Sequence, residues 1–258
     1  MEIINDYIQV DHVSKGFLTN GTYLPVLEDI SFSMPKGSIT CIVGASGCGK
    51  STLLRAIAGI DPRHEGTIRI GGKEIRNPEK SIGMVFQEPR LFPWLTVVKN
   101  IHYAMDGVEK EKRDQLTREY IDLVGLTGFE KVYPAQLSGG MAQRAGIARA
   151  LVNQPPVLLL DEPFGALDTF TKITMQNELK RIQSSSDTTM IMVTHDIDEA
   201  IFLSDLIIVL TSRPGRIKAL TPVMLPDPRM RNGDDFLQYR KKIYSMFFEE
   251  HILEDYSI

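Results

Sequence analysis

The chain has 258 residues, 43% hydrophobic and 24% charged, with a formal net charge of -4. Such usage excludes a fibrous, collagen-like or disordered chain. The slight acidic excess argues against a protein that lives on a nucleic-acid backbone. Two cysteines, Cys41 and Cys48, suit a reducing compartment better than a disulfide scaffold. No apolar run approaches the roughly 18 residues that a membrane helix needs. The N-terminus carries Glu2 and Asp6 and lacks a basic start and a long apolar run, unlike a signal peptide. A soluble, cytoplasmic protein is expected.

The first elements read as strands. Ile8, Val10 and Val13 lead into an expected loop over 16–25, with Asn20-Gly21 as a turn signal. Ile30, Phe32 and Met34 alternate with Ser31 and Ser33, the pattern of a half-buried strand. Pro35-Lys36-Gly37 turns the chain into an apolar strand over 39–43. Residues 67–70, Gly71-Gly72 and 73–75 read as a hairpin. From 96 to 151 the pattern is mostly helical. One helix is expected over 110–126, with Leu116, Tyr120, Leu123 and Val124 on one face. Another is expected over 141–152 and is stopped by Pro155-Pro156. The run 157–160 is apolar at every position, as a strand covered on both faces requires. A helix over 170–183, a short loop at Ser184-Ser185-Ser186, a strand over 189–193, a helix over 197–204 and a strand over 206–210 follow. Strands alternating with helices predict an α/β fold with a doubly wound parallel sheet, into which the helical block is inserted. In the tail, Phe236, Tyr239, Ile243 and Phe247 share one helical face, with Arg240, Lys241 and Lys242 among them. That pattern favours a helix packed on the core.

Chemistry concentrates at three places. Gly44-Ala45-Ser46-Gly47-Cys48-Gly49-Lys50-Ser51 fits G-x-x-x-x-G-K-[ST] at every fixed position. The motif follows a strand and opens a helix at Thr52, the context that distinguishes a P-loop from a glycine-rich turn. Its glycines let the backbone wrap a phosphate, and the helix N-terminus adds positive potential. Lys50 would reach the β- and γ-phosphates, and the Ser51 hydroxyl would ligate Mg²⁺. Cys48 fills a variable position and is given no redox role. Second, the strand over 157–160 delivers Asp161 and Glu162 at its C-terminal end, where α/β folds bind ligands. Asp161 would hold the Mg²⁺ shell, and Glu162 would polarise a water for attack on the γ-phosphate. Third, Ser138 with Gly139 and Gly140 opens a helix and makes a second anion-binding N-terminus.

The run Leu137-Ser138-Gly139-Gly140-Met141-Ala142-Gln143-Arg144 resembles the L-S-G-G-x-x-x-R signature of the ATP-binding cassette (ABC) ATPases. The resemblance spans nearly the whole chain, from Ile8 to about Ile217. It implies a P-loop NTPase (RecA-like) core with an N-terminal antiparallel β subdomain and an inserted α-helical subdomain. The expected division of the single ATPase domain is 1–87 and 157–217 for the core and β subdomain, 88–156 for the helical subdomain, and a tail over 218–258. The resemblance also implies roles. Gln87 would contact Mg²⁺ and the attacking water. Asp168, in Ala166-Leu167-Asp168, would cross to a partner subunit. His195 would sense the γ-phosphate. Phe17 would stack on adenine, although Tyr23 offers a second aromatic. Ser138, Gly139 and Gly140 would clamp the ATP held by a second copy. His12, His64, His102 and His251 lack ligand-like spacing and read as surface or satisfied residues.

The stretch Gln87-Glu88-Pro89-Arg90-Leu91-Phe92-Pro93-Trp94, with Arg213-Pro214-Gly215-Arg216-Ile217, resembles importer ATPases for nitrate, sulfonate, taurine and related compounds. The resemblance implies ATP and Mg²⁺ as cofactors, a homodimer, membrane-spanning permease partners and, indirectly, a solute-binding protein. It implies no nucleic acid, and places the chain at the cytoplasmic face of the membrane. Residues 91–97 would line a groove for the permease or pack as core. An exporter ATPase shares every catalytic residue and stays open as an alternative. A DNA-repair or chromosome-organising ATPase would carry long coiled-coil insertions between Lys50 and Ser138, and none is present. A non-hydrolysing module typically loses Glu162. Gly146, inside the signature helix, is expected to cost about 1 kcal/mol relative to alanine.

Overall fold

The computed structural model describes residues 6–254, with side chains as far as 247. The expectations placed on Glu2 and His251 lie outside the described residues. The chain divides into two compact units, Lys80–Met190 and the segments flanking it.

In the flanking unit, β1 (Asp6–Thr19) and β2 (Thr22–Pro35) form one long antiparallel hairpin. The loop expected over 16–25 is therefore mostly strand. Gly16 pairs with Pro25, Phe17 with Leu24 and Leu18 with Tyr23, while Asn20 and Gly21 alone make the turn. Both turn residues have positive φ (51° and 78°), as a two-residue hairpin with matching twist requires. Register shifts near Val13, Lys15 and Gly16 let the pair continue past the break in alternation that makes the sequence look like a loop. The expected second hairpin forms as β4 (Glu65–Ile70) and β5 (Lys73–Glu74). It extends a four-stranded sheet in the order β2-β1-β4-β5.

Next comes β3 (Ile39–Val43), buried at all five positions. After α1 (Lys50–Ile57), the later part of this unit adds the end of β8 (Thr189–Val193), α6 (Ile197–Leu203), β9 (Leu206–Leu210) and β10 (Ile217–Pro222). Here β9 runs parallel to β3, Cys41 facing Ile207 and Val43 facing Val209. These strands are apolar at nearly every position because both faces are covered. The C-terminal helix α7 (Asp234–Glu254) packs on α6. Phe236 and Ile243 are fully buried, and the Arg240 guanidinium pairs with the Asp198 carboxylate through two hydrogen bonds. The tail face read from the sequence is thus a core face.

The unit Lys80–Met190 holds β6 (Ile82–Val85) parallel to β7 (Val157–Asp161), with Val85 opposite Leu160. Between them lie the helices α2 (Val97–Ala104), α3 (Lys110–Leu123) and α4 (Gly139–Leu151). The helix α5 (Thr169–Ser186) follows β7. It overruns the expected serine loop. Ser185 and Ser186 turn their hydroxyls back onto the Ile182 carbonyl (3.1 and 2.6 Å), so the helix continues to a left-handed Asp187. Gly146 on α4 also finds its reason. A Cβ there would lie 3.4 Å from the Pro89 carbonyl oxygen, so the small residue permits a close approach.

The turn over 92–96 hangs on one side chain. Asn100, fully buried, accepts from the Phe92 N–H (2.8 Å) and donates to the carbonyls of Phe92, Leu95 and Thr96 (3.2, 3.0 and 3.1 Å). Asn100→Ala takes their partner from the Phe92 N–H and the Leu95 carbonyl, while the carbonyls of Phe92 and Thr96 keep the N–H groups of Leu95 and residue 100. It is expected to lower stability by about 1–3 kcal/mol. Urea unfolding checks this, and an unchanged midpoint contradicts it.

Candidate nucleotide site and family membership

In the flanking unit the loop between β3 and α1 is built for an anion. Gly47 and Gly49 have φ of 77° and 104°, the left-handed region that favours glycine. At Gly49 a Cβ would come within 2.7 Å of Leu27 Cδ2, so only glycine fits the approach to β2. The helix α1 has no side-chain cap and no acid in its first turn, which leaves its positive end uncompensated. Lys50, only 6% exposed, folds back into the loop and donates from Nζ to the carbonyls of Gly44 (2.8 Å) and Ala45 (3.0 Å). A buried ammonium held by loop carbonyls, beside an uncapped helix start, fits a phosphate group. Ser51 follows it and is half-buried, and Thr52 is likewise half-buried. Ala45 and Ser46 lie at the open side of the loop. The Cys48 thiol is buried, and burial raises its pKa from the ordinary value while the Lys50 charge opposes the rise.

His195 is exposed just after β8. Its turn is fixed by its two neighbours and by Glu199. Buried Thr194 donates to the buried Glu199 carboxylate (2.5 Å) and accepts from the Asp196 N–H (3.0 Å). Asp196 caps α6 by accepting from the N–H groups of Asp198 and Glu199. Phe17 and Tyr23 are both exposed near the tip of the β1–β2 hairpin. They belong to neighbouring cross-strand pairs, Phe17 with Leu24 and Tyr23 with Leu18, so they stand on opposite faces of the ribbon.

In the unit Lys80–Met190, β7 brings Asp161 to its end with 1% exposure and sets Glu162 just beyond it, half-buried. Glu162 has φ of 46°, an uncommon backbone for a non-glycine residue. Gln87 Nε2 donates to Glu162 Oε2 (3.3 Å), so the loop glutamine and the second carboxylate do meet. Ser138 caps α4 by accepting from the Met141 N–H (3.2 Å) and is exposed, and Gly139 has open space where a Cβ would stand. A Cβ on Gly140 would lie 3.0 Å from the Ala166 carbonyl, so the signature packs against the loop that leads to Asp168. Asp168 is exposed and caps α5 by accepting from the Thr171 N–H (3.1 Å). Hydrogen bonds from Thr171 hold its carboxyl below the usual range.

Sequence reasoning missed the ties between the glutamine loop and the signature helix. From α4, buried Gln143 donates to the Phe86 carbonyl (3.1 Å). Arg149, on the same helix, donates to the carbonyls of Pro89 and Arg90 (both 2.9 Å).

No helix among the described residues is long and apolar enough to cross a membrane. A family model described as "ABC transporter" matches residues 27–165. An aliphatic sulfonates import ATP-binding protein SsuB of Bacillus cereus is 48% identical over 240 residues, covering 93% of this chain and 95% of that protein. The SsuB of Bacillus subtilis (strain 168) is 46% identical over the same share of this chain. A solved dimer of the ATP-binding cassette MJ0796, in a post-hydrolysis state bound to ADP and Pi, has a TM-score of 0.77 at 30% identity. It covers 85% of this chain and 100% of its own. With its P-loop, its Ser138-capped helix and its Asp161-Glu162 strand end in this order along the chain, the protein belongs to the ABC transporter family.

Proposed function

We propose that this chain is the ATP-hydrolysing subunit of an importer for a small anionic compound of the aliphatic sulfonate class. It would act as a homodimer at the cytoplasmic face of a membrane-spanning permease. The observation that carries the enzymatic part is the hydrogen bond between Gln87 and Glu162 at the end of a strand whose last residue is the buried Asp161. The substrate class rests on the resemblance to the SsuB proteins. This chain itself handles nucleotide, while solute selection lies with the partners.

Lys50 and the loop N–H groups grip the β- and γ-phosphates. The Ser51 hydroxyl and the Asp161 carboxylate are hard oxygen donors of the kind Mg²⁺ takes beside substrate phosphates. The bound ion supplies neutralisation of phosphate charge. Glu162 accepts a proton from the attacking water, and Gln87, already bonded to that carboxylate, orients both. His195 contacts the γ-phosphate from its fixed turn, and Phe17 stacks on the adenine. Across the dimer, Ser138, Gly139 and Gly140 complete the grip on the partner's nucleotide, and Asp168 meets the facing copy. ATP affinity thereby shifts the equilibrium toward the closed pair, by no more than the difference in its affinity for the two states. The exposed part of 91–97, Pro93 and Trp94, receives the permease, while Thr96 and Val97 pack inside.

Ser138→Arg places a bulky cation in the dimer seam while leaving the N-terminus of α4 solvated. It is expected to abolish ATP-driven pairing while lost capping lowers monomer stability by only about 1 kcal/mol, as read by sedimentation with thermal melting as control. Persisting pairing contradicts the two-chain site. The import role is tested by uptake of a labelled alkanesulfonate in cells lacking this chain. Uptake is expected to return with the wild-type chain and not with Glu162→Gln. Uptake that is unaffected by loss of the chain overturns the substrate assignment.

A further inference from the structure

The segment Arg213-Pro214-Gly215-Arg216 lies between β9 and β10 and has no part in the chemistry above. It is tightly folded on itself. Thr211 N–H donates to the Arg216 carbonyl (2.9 Å), the Thr211 hydroxyl donates to the Pro214 carbonyl (3.1 Å), and Arg216 N–H returns to that hydroxyl (2.9 Å). It is also laced to β2. Gly215 N–H donates to the Val26 carbonyl (2.8 Å), Glu28 N–H donates to the Gly215 carbonyl (3.0 Å), and the Arg216 guanidinium pairs with the Glu28 carboxylate at 2.7 Å. From this anchored turn Arg213 reaches the P-loop. Its Nε and Nη2 both donate to the Gly47 carbonyl oxygen, at 3.2 and 3.0 Å. Gly215 presses the same stretch, since a Cβ there would stand 2.2 Å from the Cys48 carbonyl oxygen.

The consequence follows from peptide geometry. A trans peptide is planar, with its C=O and N–H on opposite sides. Fixing the Gly47 carbonyl on the guanidinium fixes the Cys48 N–H the other way. That N–H points across the loop, toward the Ala45 carbonyl (3.3 Å), the same oxygen that Lys50 Nζ holds. Gly47, at φ of 77°, has no side chain of its own to hold this orientation. We infer that Arg213 is a positioning residue for nucleotide binding, which fixes the Gly47–Cys48 peptide and, through the Cys48 N–H on the Ala45 carbonyl, the closed shape of the loop that holds Lys50. The inference rests on the proposed phosphate role of the P-loop. It adds a residue 166 positions downstream. A charge-assisted fork of two donors on one carbonyl does what a single neutral hydrogen bond would do less firmly. The positive charge also lies close enough to the loop to act on the Cys48 thiol.

The test is titration of purified chain variants with a fluorescent ATP analogue and Mg²⁺, alongside ATPase kinetics and thermal melting. Arg213→Ala is expected to raise the nucleotide Kd and the KM for ATP by roughly 3–10-fold while kcat and the melting midpoint stay near wild type. Arg213→Lys keeps the charge but loses the fork, and is expected to fall between the two. Gly215→Ala crowds the next carbonyl along the loop, that of Cys48, and is expected to weaken binding as well. A lowered melting midpoint in Arg213→Ala with unchanged Kd and KM would show a structural role only and overturn the inference. Lys50→Ala in the same titration separates the failures. If it binds nucleotide normally, the phosphate reading itself is wrong. If it fails to bind while Arg213→Ala binds normally, only the role of Arg213 is wrong.

Discussion

Glu162→Gln is expected to bind MgATP with nearly wild-type affinity and to hydrolyse it roughly 10²–10⁴-fold more slowly, the usual contribution of a positioned general base. The substitution keeps size, shape and the capacity to meet Gln87, which donates to Glu162 Oε2 at 3.3 Å. It removes only the ability to take the water's proton. The left-handed backbone at this position is retained as well, because glutamine has no more Cβ bulk than glutamate. Single-turnover phosphate release measures the rate, and equilibrium titration measures binding. Normal turnover in the variant would remove Glu162 from the mechanism. A loss of binding equal to the loss of rate would make it a structural or binding residue instead.

Lys50→Ala is expected to weaken nucleotide affinity by about 10–100-fold, the equivalent of a charge-assisted hydrogen bond worth about 1.5–3 kcal/mol. The ammonium is buried within the loop and rests on the carbonyls of Gly44 and Ala45. A γ-phosphate offers it a far better partner than neutral carbonyls, so most of the favourable difference appears only with ligand present. Stability without nucleotide should therefore change less than affinity does. Isothermal titration with ATP and Mg²⁺ checks the affinity, and unchanged affinity contradicts the phosphate contact.

The turn before Lys50 was legible as structure because it is a short motif at a forced junction. A strand ends, a glycine run turns, and a helix begins, and few other sequences satisfy that geometry. The strands over 39–43, 189–193 and 206–210 were legible to the residue, since burial on both faces leaves runs that are apolar apart from one threonine in each of the first two. The long β1–β2 hairpin was not. Gly16, Pro25 and the Asn20-Gly21 pair all read as breakers, yet register shifts and an edge position absorb the first two. The serine run at the end of α5 misled for another reason. Serine competes with helix backbone in general, but here its hydroxyls close on a carbonyl one turn earlier.

What supports the site was largely invisible in the sequence. Asn100, Gln143, the Thr194–Glu199 pair and Arg213 act by reaching backbone atoms or turns that only the fold brings near. A glutamine on the signature helix gives no sign that it will hold the carbonyl just before Gln87. Gly146 is the converse case. It looked like a weak point in a helix, and it is where the helix meets Pro89.

The central claim is that triphosphate binding draws two copies of this chain together. Sedimentation velocity of Glu162→Gln, with and without ATP and Mg²⁺, tests it most directly, because the slowed variant holds the bound state long enough to be seen. The account predicts a single-chain species without nucleotide and a two-chain species with it. A species that binds ATP yet sediments as one chain at every concentration would contradict it.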